Sequence, residues 1–340
     1  MMRGFFMRYI KLKNADITVS RIVFGGWAIG GWYWGGSDER EAIESIHESL
    51  EQGIVCFDTA PIYGMGKSER ILGRALKSHS DAIIATKCGL RYDGDTAGIP
   101  FFEMNEYNPP VKVFKNLTFN SIIYECDMSL KRLERSYIDI YQIHWPDSSS
   151  GQEETAKALN NLYERGKIRS AGVCNYSVAK ILELKKYLTV PLVSDQERLS
   201  LIHRKSFAGN IPFDKKNNLT FLAYSPLAQG LLTNRMGRDR VFLEGDYRSK
   251  SEIMRPEFRK AVTEAFSRLE EIRIKYDCSY ANISVAWALH TAGENSCAVV
   301  GIRNKEQALE NSRACLIEFN GNEVETISET FSSLIYRGKW

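Results

Sequence analysis

No apolar run in the 340 residues approaches the roughly 20 that a membrane-spanning helix needs. The short apolar stretch near the amino terminus, residues 5–7, is also too brief for a signal peptide. Charge of one sign is missing as well: 45 Lys and Arg face 42 Asp and Glu, dispersed along the chain, for a net charge of +3. That balance offers no basic stripe for nucleic acid and no polybasic patch for a membrane surface. Seven cysteines (Cys56, Cys88, Cys126, Cys174, Cys278, Cys297 and Cys315) include no C-x-x-C pair, so neither a disulfide framework nor a metal cage is expected. They read as small buried hydrophobes in a reducing compartment. No G-x-G-x-x-G follows a strand, which removes the usual fingerprint of a doubly wound dinucleotide-binding sheet. The expectation is a soluble, cytoplasmic protein without membrane, nucleic-acid or metal partners.

The chain's most informative stretch runs from residue 54 to 76. An apolar run at 54–57 is suited to a strand covered on both faces, and a carboxylate, Asp58, follows it. Gly64 and Gly66 break the chain around Tyr63, and from Ser68 the apolar positions Ile71, Leu72, Ala75 and Leu76 recur at helical spacing. Two more apolar runs end in ionisable groups, 82–88 with Lys87 and 138–145 with His144. In parallel α/β architectures the carboxyl ends of strands converge on the ligand-binding face. A phenol, an ammonium, a carboxylate and an imidazole on one rim suit proton transfer.

Further strands are predicted at 21–27, 167–175, 191–196, 218–226 and 297–302. Predicted helices follow Asp38 and span 121–135, 155–163, 181–187, 256–276, 282–290, 305–314 and 323–336. A loose period-two pattern over 8–19 predicts an amino-terminal hairpin that caps the assembly. Two long connections remain, 91–117 and 229–256, of a length usually reserved for functional or mobile loops. Eight strands alternating with helices, with no linker of changed composition over 1–340, give one (β/α)8 barrel domain; a doubly wound sheet is the runner-up.

The chain resembles the aldo-keto reductases along nearly its whole length. The resemblance rests on F-D-T-A-P-I-Y-G-M-G-K-S-E at 57–69, A-T-K ending at Lys87, Y-Q-I-H-W-P-D at 141–147 and G-V-C-N at 172–175, then A-Y-S-P-L-A-Q-G-L-L-T at 223–233 and G-I-R-N-K-E-Q-A-L-E-N at 301–311. It implies an NADPH-dependent carbonyl reductase with a catalytic tetrad of Asp58, Tyr63, Lys87 and His144. Tyr63 would be the general acid, its phenolate stabilised by Lys87; Asp58 would hold the lysine, and His144 would orient the carbonyl. For the cofactor it implies Asn175 and Gln196 on the nicotinamide amide, with Tyr224 and Trp27 at the ring. Ser225, Leu227, Gly230 and Leu231 would lie along the pyrophosphate, and Gly301, Arg303, Gln307, Glu310 and Asn311 around the adenosine end. Arg303, with Lys305, would favour a 2′-phosphate. Cys174 stands where the family usually has serine, and Glu197-Arg198 where an aromatic residue is common.

Read alone, each of these groups has a bland explanation: a strand-end cap, a surface lysine, a satisfied core histidine. Their joint position on one rim favours function, because a buried lysine without a partner is costly. Trp27, Tyr63, His144 and Trp145 are expected at the substrate, with Trp32, Trp34 and Tyr92 as further wall residues and Arg91 or Arg204 as anchors for an acidic substrate. His47, His79, His203 and His290 have no metal spacing and receive no role. The expected reaction is reduction of small, perhaps sugar-derived, aldehydes or ketones, or oxidation of the alcohol. The alternatives are an NADPH-sensing regulatory subunit and a Lys87 Schiff-base lyase.

Overall fold

The computed structural model describes residues 7–94, 97–105, 107, 109–237 and 239–338; the apolar stretch at 5–7 therefore falls mostly outside the described residues. The chain opens with β1 (Tyr9–Lys11) and β2 (Thr18–Ser20), an antiparallel pair. The barrel then begins with β3 (Ile22–Gly25), α1 (Glu39–Glu51), β4 (Cys56–Asp58), α2 (Lys67–Ala75) and β5 (Ile83–Cys88). A three-stranded antiparallel ribbon follows: β6 (Leu90–Arg91), β7 (Ile99–Met104) and β8 (Val111–Lys115), with β8 central. The alternation resumes with α3 (Phe119–Leu133), β9 (Ile140–Ile143), α4 (Gln152–Glu164), β10 (Ala171–Cys174), α5 (Val178–Lys185), β11 (Leu192–Arg198), α6 (Asn210–Asn217) and β12 (Thr220–Tyr224). Then come α7 (Pro256–Ser267), α8 (Glu270–Lys275), α9 (Tyr280–Ala292), β13 (Ser296–Gly301), α10 (Lys305–Ser312) and α11 (Gly321–Thr330).

The eight strands β3, β4, β5, β9, β10, β11, β12 and β13 pair in parallel and close, β13 returning to β3. Their residues are buried on both faces, as a parallel sheet under a helical layer requires. Leu12, Ile17 and Val19 of the hairpin pack on Val23, Cys56, Ala85, Ile140, Val193 and Leu222 from the barrel interior. The amino-terminal end of the barrel is plugged by this apolar cluster, so a ligand enters from the other end. All seven cysteines are buried and free. Among the described residues no side-chain group could hold a metal ion, and no helix is long and apolar enough to cross a membrane.

Five expectations need correction. The connection 91–117 is the β6–β8 ribbon; Pro100 shifts its register and Pro109-Pro110 interrupts it, which hides the alternation. The connection 229–256 carries short 3-10 turns at Ala228–Thr233, Tyr247–Lys250 and Glu252–Met254. The helix expected over 256–276 breaks into α7 and α8, and the last one ends at Thr330. Helix α6 was not expected, because Asn210–Asn217 contains a proline and hardly any apolar periodicity.

Outside the barrel mouth, β11 meets α6 through carboxyl groups. Asn210 Nδ2 donates to Asp195 Oδ2 at 2.7 Å, while Asp195 Oδ1 and both carboxyl oxygens of Asp214 are buried, the two carboxyls facing each other. Burial raises the carboxyls of Asp195 and Asp214, and Asp195 raises Asp214 further; Glu197, half-buried and near Asp195, is pushed up to about 8 by desolvation first and Asp195 second. The folded chain thus keeps protons that an unfolded chain releases near pH 4. This cluster's contribution to stability is full below about pH 4 and is lost as pH rises through 8. Asp214→Asn is expected to flatten that decline, raising Tm at pH 8.5 by a few °C over the parent while changing it little at pH 5. Thermal unfolding followed by circular dichroism at the two pH values checks it, and an equal shift at both would refute it.

Candidate active site

Asp58 ends β4, and the loop behind it is clamped. Gly64 is left-handed at φ +65°, and a Cβ there would collide with the carbonyl of Gly30. Ser68, at the start of α2, hydrogen-bonds the Thr59 hydroxyl and the Gly26 carbonyl, each at 2.8 Å. Buried Glu69 accepts from Thr86 and Arg132 at 2.7 and 2.5 Å, tying α2 to β5 beside Lys87. Tyr63 is held in place by this frame.

Lys87 is fully buried. Its Nζ donates to Asp58 Oδ1 at 2.5 Å, to the Thr59 carbonyl at 2.8 Å and to Tyr63 Oη at 3.3 Å. The other carboxylate oxygen of Asp58 accepts from Gln142 and Gln196, both at 2.9 Å. Burial opposes the Lys87 charge, yet the carboxylate of Asp58, helped by Tyr63, leaves its pKa above the ordinary lysine value. The ammonium is therefore persistent, which disfavours a Schiff-base lysine.

Tyr63 departs from expectation. Burial dominates and pushes its phenol up to about 12, although Lys87 pulls the other way. The proton is firmly held at neutral pH, and the ammonium is placed to stabilise the phenolate once the proton leaves. The His144 ring meets Tyr63 edge-on at 5.8 Å; burial first and Lys87 second hold its pKa well below the usual histidine range, so it is neutral.

Above this floor opens a cavity of about 790 Å³. Asp58, Tyr63, His144, Trp27 and Trp145 line it, as do Trp32 and Trp34; Lys87 lies beneath. Trp27 stacks near Tyr63 at 6.2 Å. Asn175, Gln196, Tyr224, Ser225, Leu227 and Gly230 line an adjoining wall, followed by Gly301, Arg303, Gln307, Glu310 and Asn311. Leu231 instead packs in the apolar core beyond β12. Asn175 is already braced: its Nδ2 donates to the His144 carbonyl at 3.0 Å and its Oδ1 accepts from Tyr224 Oη at 2.9 Å. Cys174 lies under the wall, its Sγ 3.7 Å from Gln142 Oε1.

Several expectations fail at the periphery. Lys305 pairs with Glu44 at 3.5 Å and does not line the cavity. Arg91 binds Asp93 and Ser121, and Arg204 lies over Trp287 while donating to the Leu201 and Ser328 carbonyls, so neither is an anchor in the cavity. Tyr92 packs in a satellite cluster with Leu90. Sequence reading missed Gln142, although its two-residue offset from His144 puts both on one strand face. It also missed Arg235, Arg240 and Arg248, which come from the aperiodic connection 229–256.

This donor set suits a nicotinamide dinucleotide. Two side-chain amides stand near a wall aromatic ring, and five arginines line the cavity. A Cβ on Gly301 would meet nothing within 4 Å, leaving a bare backbone edge on the cavity. Tyr33, Asn175, Ser225 and Gln229 line it with left-handed backbones, the kind of local strain that concentrates at functional sites.

A model of the aldo/keto reductase family matches residues 21–331. An aldo-keto reductase of Bacillus subtilis, YhdN, is 35% identical over 88% of this chain and 86% of its own. The NADH-specific methylglyoxal reductase of Escherichia coli is 32% identical over 96% and 99%. Among solved structures, a glycerol dehydrogenase from Gluconobacter oxydans superposes with a TM-score of 0.84 at 32% identity, covering 98% of this chain and 97% of its own.

Proposed function

This chain belongs to the aldo/keto reductase family, oxidoreductases that act on carbonyls with NAD(P)H, and from that premise we propose that it reduces aldehydes or ketones with NADPH and Tyr63 as proton donor. The observation that carries this reading is Lys87 Nζ between Asp58 Oδ1 at 2.5 Å and Tyr63 Oη at 3.3 Å, beside a neutral imidazole. When bound, the cofactor would supply a hydride to the carbonyl carbon, and Tyr63 would give the proton to its oxygen. His144 hydrogen-bonds that oxygen and holds it over the phenol; Asp58 keeps Lys87 charged and in place. Trp27 and Trp145 flank the substrate. A complete proton-delivery set favours turnover over cofactor sensing alone.

Asn175 and Gln196 would hold the carboxamide, with Tyr224 and Trp27 near the ring. Ser225, Leu227 and Gly230 would follow the pyrophosphate, and Gly301, Arg303, Gln307, Glu310 and Asn311 would surround the adenosine end. Preference for NADPH rests on Arg303, whose guanidinium is fastened to the Gly36 carbonyl at 3.0 Å and whose backbone N–H donates to Gln307 at 2.8 Å. Glu310 is neutralised by Arg235 at 2.9 Å, which removes a carboxylate that would repel phosphate. The NADH-specific relative makes this a sharp test. Arg303→Ala is expected to weaken NADPH binding about tenfold or more and NADH binding about twofold or less, read by quenching of tryptophan fluorescence; equal losses would remove the 2′-phosphate from the assignment. Unpaired, buried cysteines suit the reducing cytoplasm as the site of this chemistry.

A further inference from the structure

The cavity is divided chemically. Its lining arginines come from β11, the connection 229–256 and the β13–α10 turn, whereas the lining residues of segments 27–34 and 99–104 carry no charge. Asp58 is taken up by Lys87, Gln142 and Gln196. Next to Tyr63 the wall belongs to one contiguous apolar cluster containing Ile62, Leu90, Trp32, Phe102 and Trp145. Trp32 and Phe102 face each other almost flat, with ring centres 5.7 Å apart and planes 8° from parallel. Phe101 meets Trp145 at 5.4 Å, and the Lys115 ammonium lies 4.3 Å and 5.2 Å from the centres of those two rings. A cation over the rings helps fix them before a substrate arrives.

We propose that this enzyme's carbonyl substrates are aryl aldehydes or aryl ketones, and that Phe102 of the β6–β8 ribbon is a specificity-determining residue for the aryl ring. The inference rests on the reductase reading above and extends it to a substrate class. A flat apolar ring attached to the carbonyl carbon buries its faces against Trp27, Trp32 and Phe102 while the oxygen reaches Tyr63 and His144. A sugar-derived or three-carbon hydroxycarbonyl would instead press hydroxyls against aromatic faces, at a desolvation cost. The ribbon supplies Phe102 directly: β7 and β8 pair from Met104↔Val111 to Ile99↔Lys115, with a shift between Pro100 and Phe102 that sets both phenylalanines at the cavity.

Steady-state reduction of benzaldehyde and methylglyoxal by the full chain with NADPH tests the proposal. The parent is expected to show a kcat/KM at least tenfold higher for benzaldehyde. Phe102→Ala should lower kcat/KM for benzaldehyde at least fivefold more than for methylglyoxal, mainly through KM, and Phe102→Tyr should restore it. NADPH fluorescence on binding to each variant reports an intact cofactor site. Preference for methylglyoxal, or equal losses for both aldehydes with cofactor binding intact, would overturn this inference and leave the reductase reading standing. If the parent binds NADPH but oxidises it with neither aldehyde nor any of a wider carbonyl panel, both readings fall.

Discussion

Tyr63→Phe is expected to lower kcat/KM for carbonyl reduction by about 10²–10⁴-fold, the usual worth of a positioned general acid, while the Kd for NADPH changes less than twofold. Only the hydroxyl is removed. The ring's packing against Trp27 and His144 survives, and the Lys87–Asp58 pair keeps its other hydrogen bonds. Burial holds the phenol at about 12, so the acid is protonated throughout the neutral range. His144 cannot replace it, because an imidazole that resists protonation has no strongly acidic proton to give. Stopped-flow loss of reduced-nicotinamide absorbance would measure the step. A loss below tenfold would move the proton donor to water or another side chain.

The same stretch explains why so much of the site was legible. An apolar strand that ends in Asp58, Lys87 or His144 announces itself, because a buried parallel strand tolerates ionisable groups only where it emerges. Asp38 is read as a helix cap by the same local logic and accepts a hydrogen bond from the first turn; Ser279 and Asn320 cap their helices in the same way. Legibility failed where long-range pairing decides the outcome. The β6–β8 ribbon has a register shift and no clean alternation, so only its antiparallel partners define it. Leu231 carries a motif position yet packs in the core, since the left-handed turn through Gln229 and Gly230 redirects the chain. Arginines were the least evenly legible: Arg303, offered by its motif, lines the cavity, whereas Arg91 and Arg204 do not, and Arg235, Arg240 and Arg248 reach it from a connection without period. A long flexible side chain reveals its address only through the partner it finds.

The acidity of Tyr63 was also beyond the sequence, since the sign of its shift depends on which of two opposed effects is larger. A neighbouring ammonium could be inferred from Lys87, but the extent of burial could not, and burial wins. On the proposed mechanism the lysine would therefore act after proton transfer, on the phenolate, and its own charge would have to survive in a dry site until then.

That requirement makes Lys87→Met the most damaging single change to stability in the site. The substitution fits the space closely but leaves Asp58, about 2% exposed, as a buried carboxylate facing only Gln142 and Gln196. Breaking a buried pair on one side costs about 3–5 kcal/mol, which for a chain of this size lowers Tm by roughly 4–7 °C, and reduction should become undetectable. Adding Asp58→Asn removes the stranded charge while keeping an oxygen for the two glutamine donors, so the double variant should recover at least half of the lost Tm and none of the activity. Calorimetry on the parent, both single variants and the double variant closes the cycle. If Lys87→Met unfolds within 2 °C of the parent, the pair is not a buried ion pair and Lys87 holds no charge for Tyr63 to use. If the double variant is as unstable as Lys87→Met, the damage comes from lost packing around the lysine stem instead. Recovery of stability without activity would separate the lysine's two tasks: its charge would be dispensable to the fold once Asp58 is neutral, and indispensable to the phenolate that Tyr63 becomes.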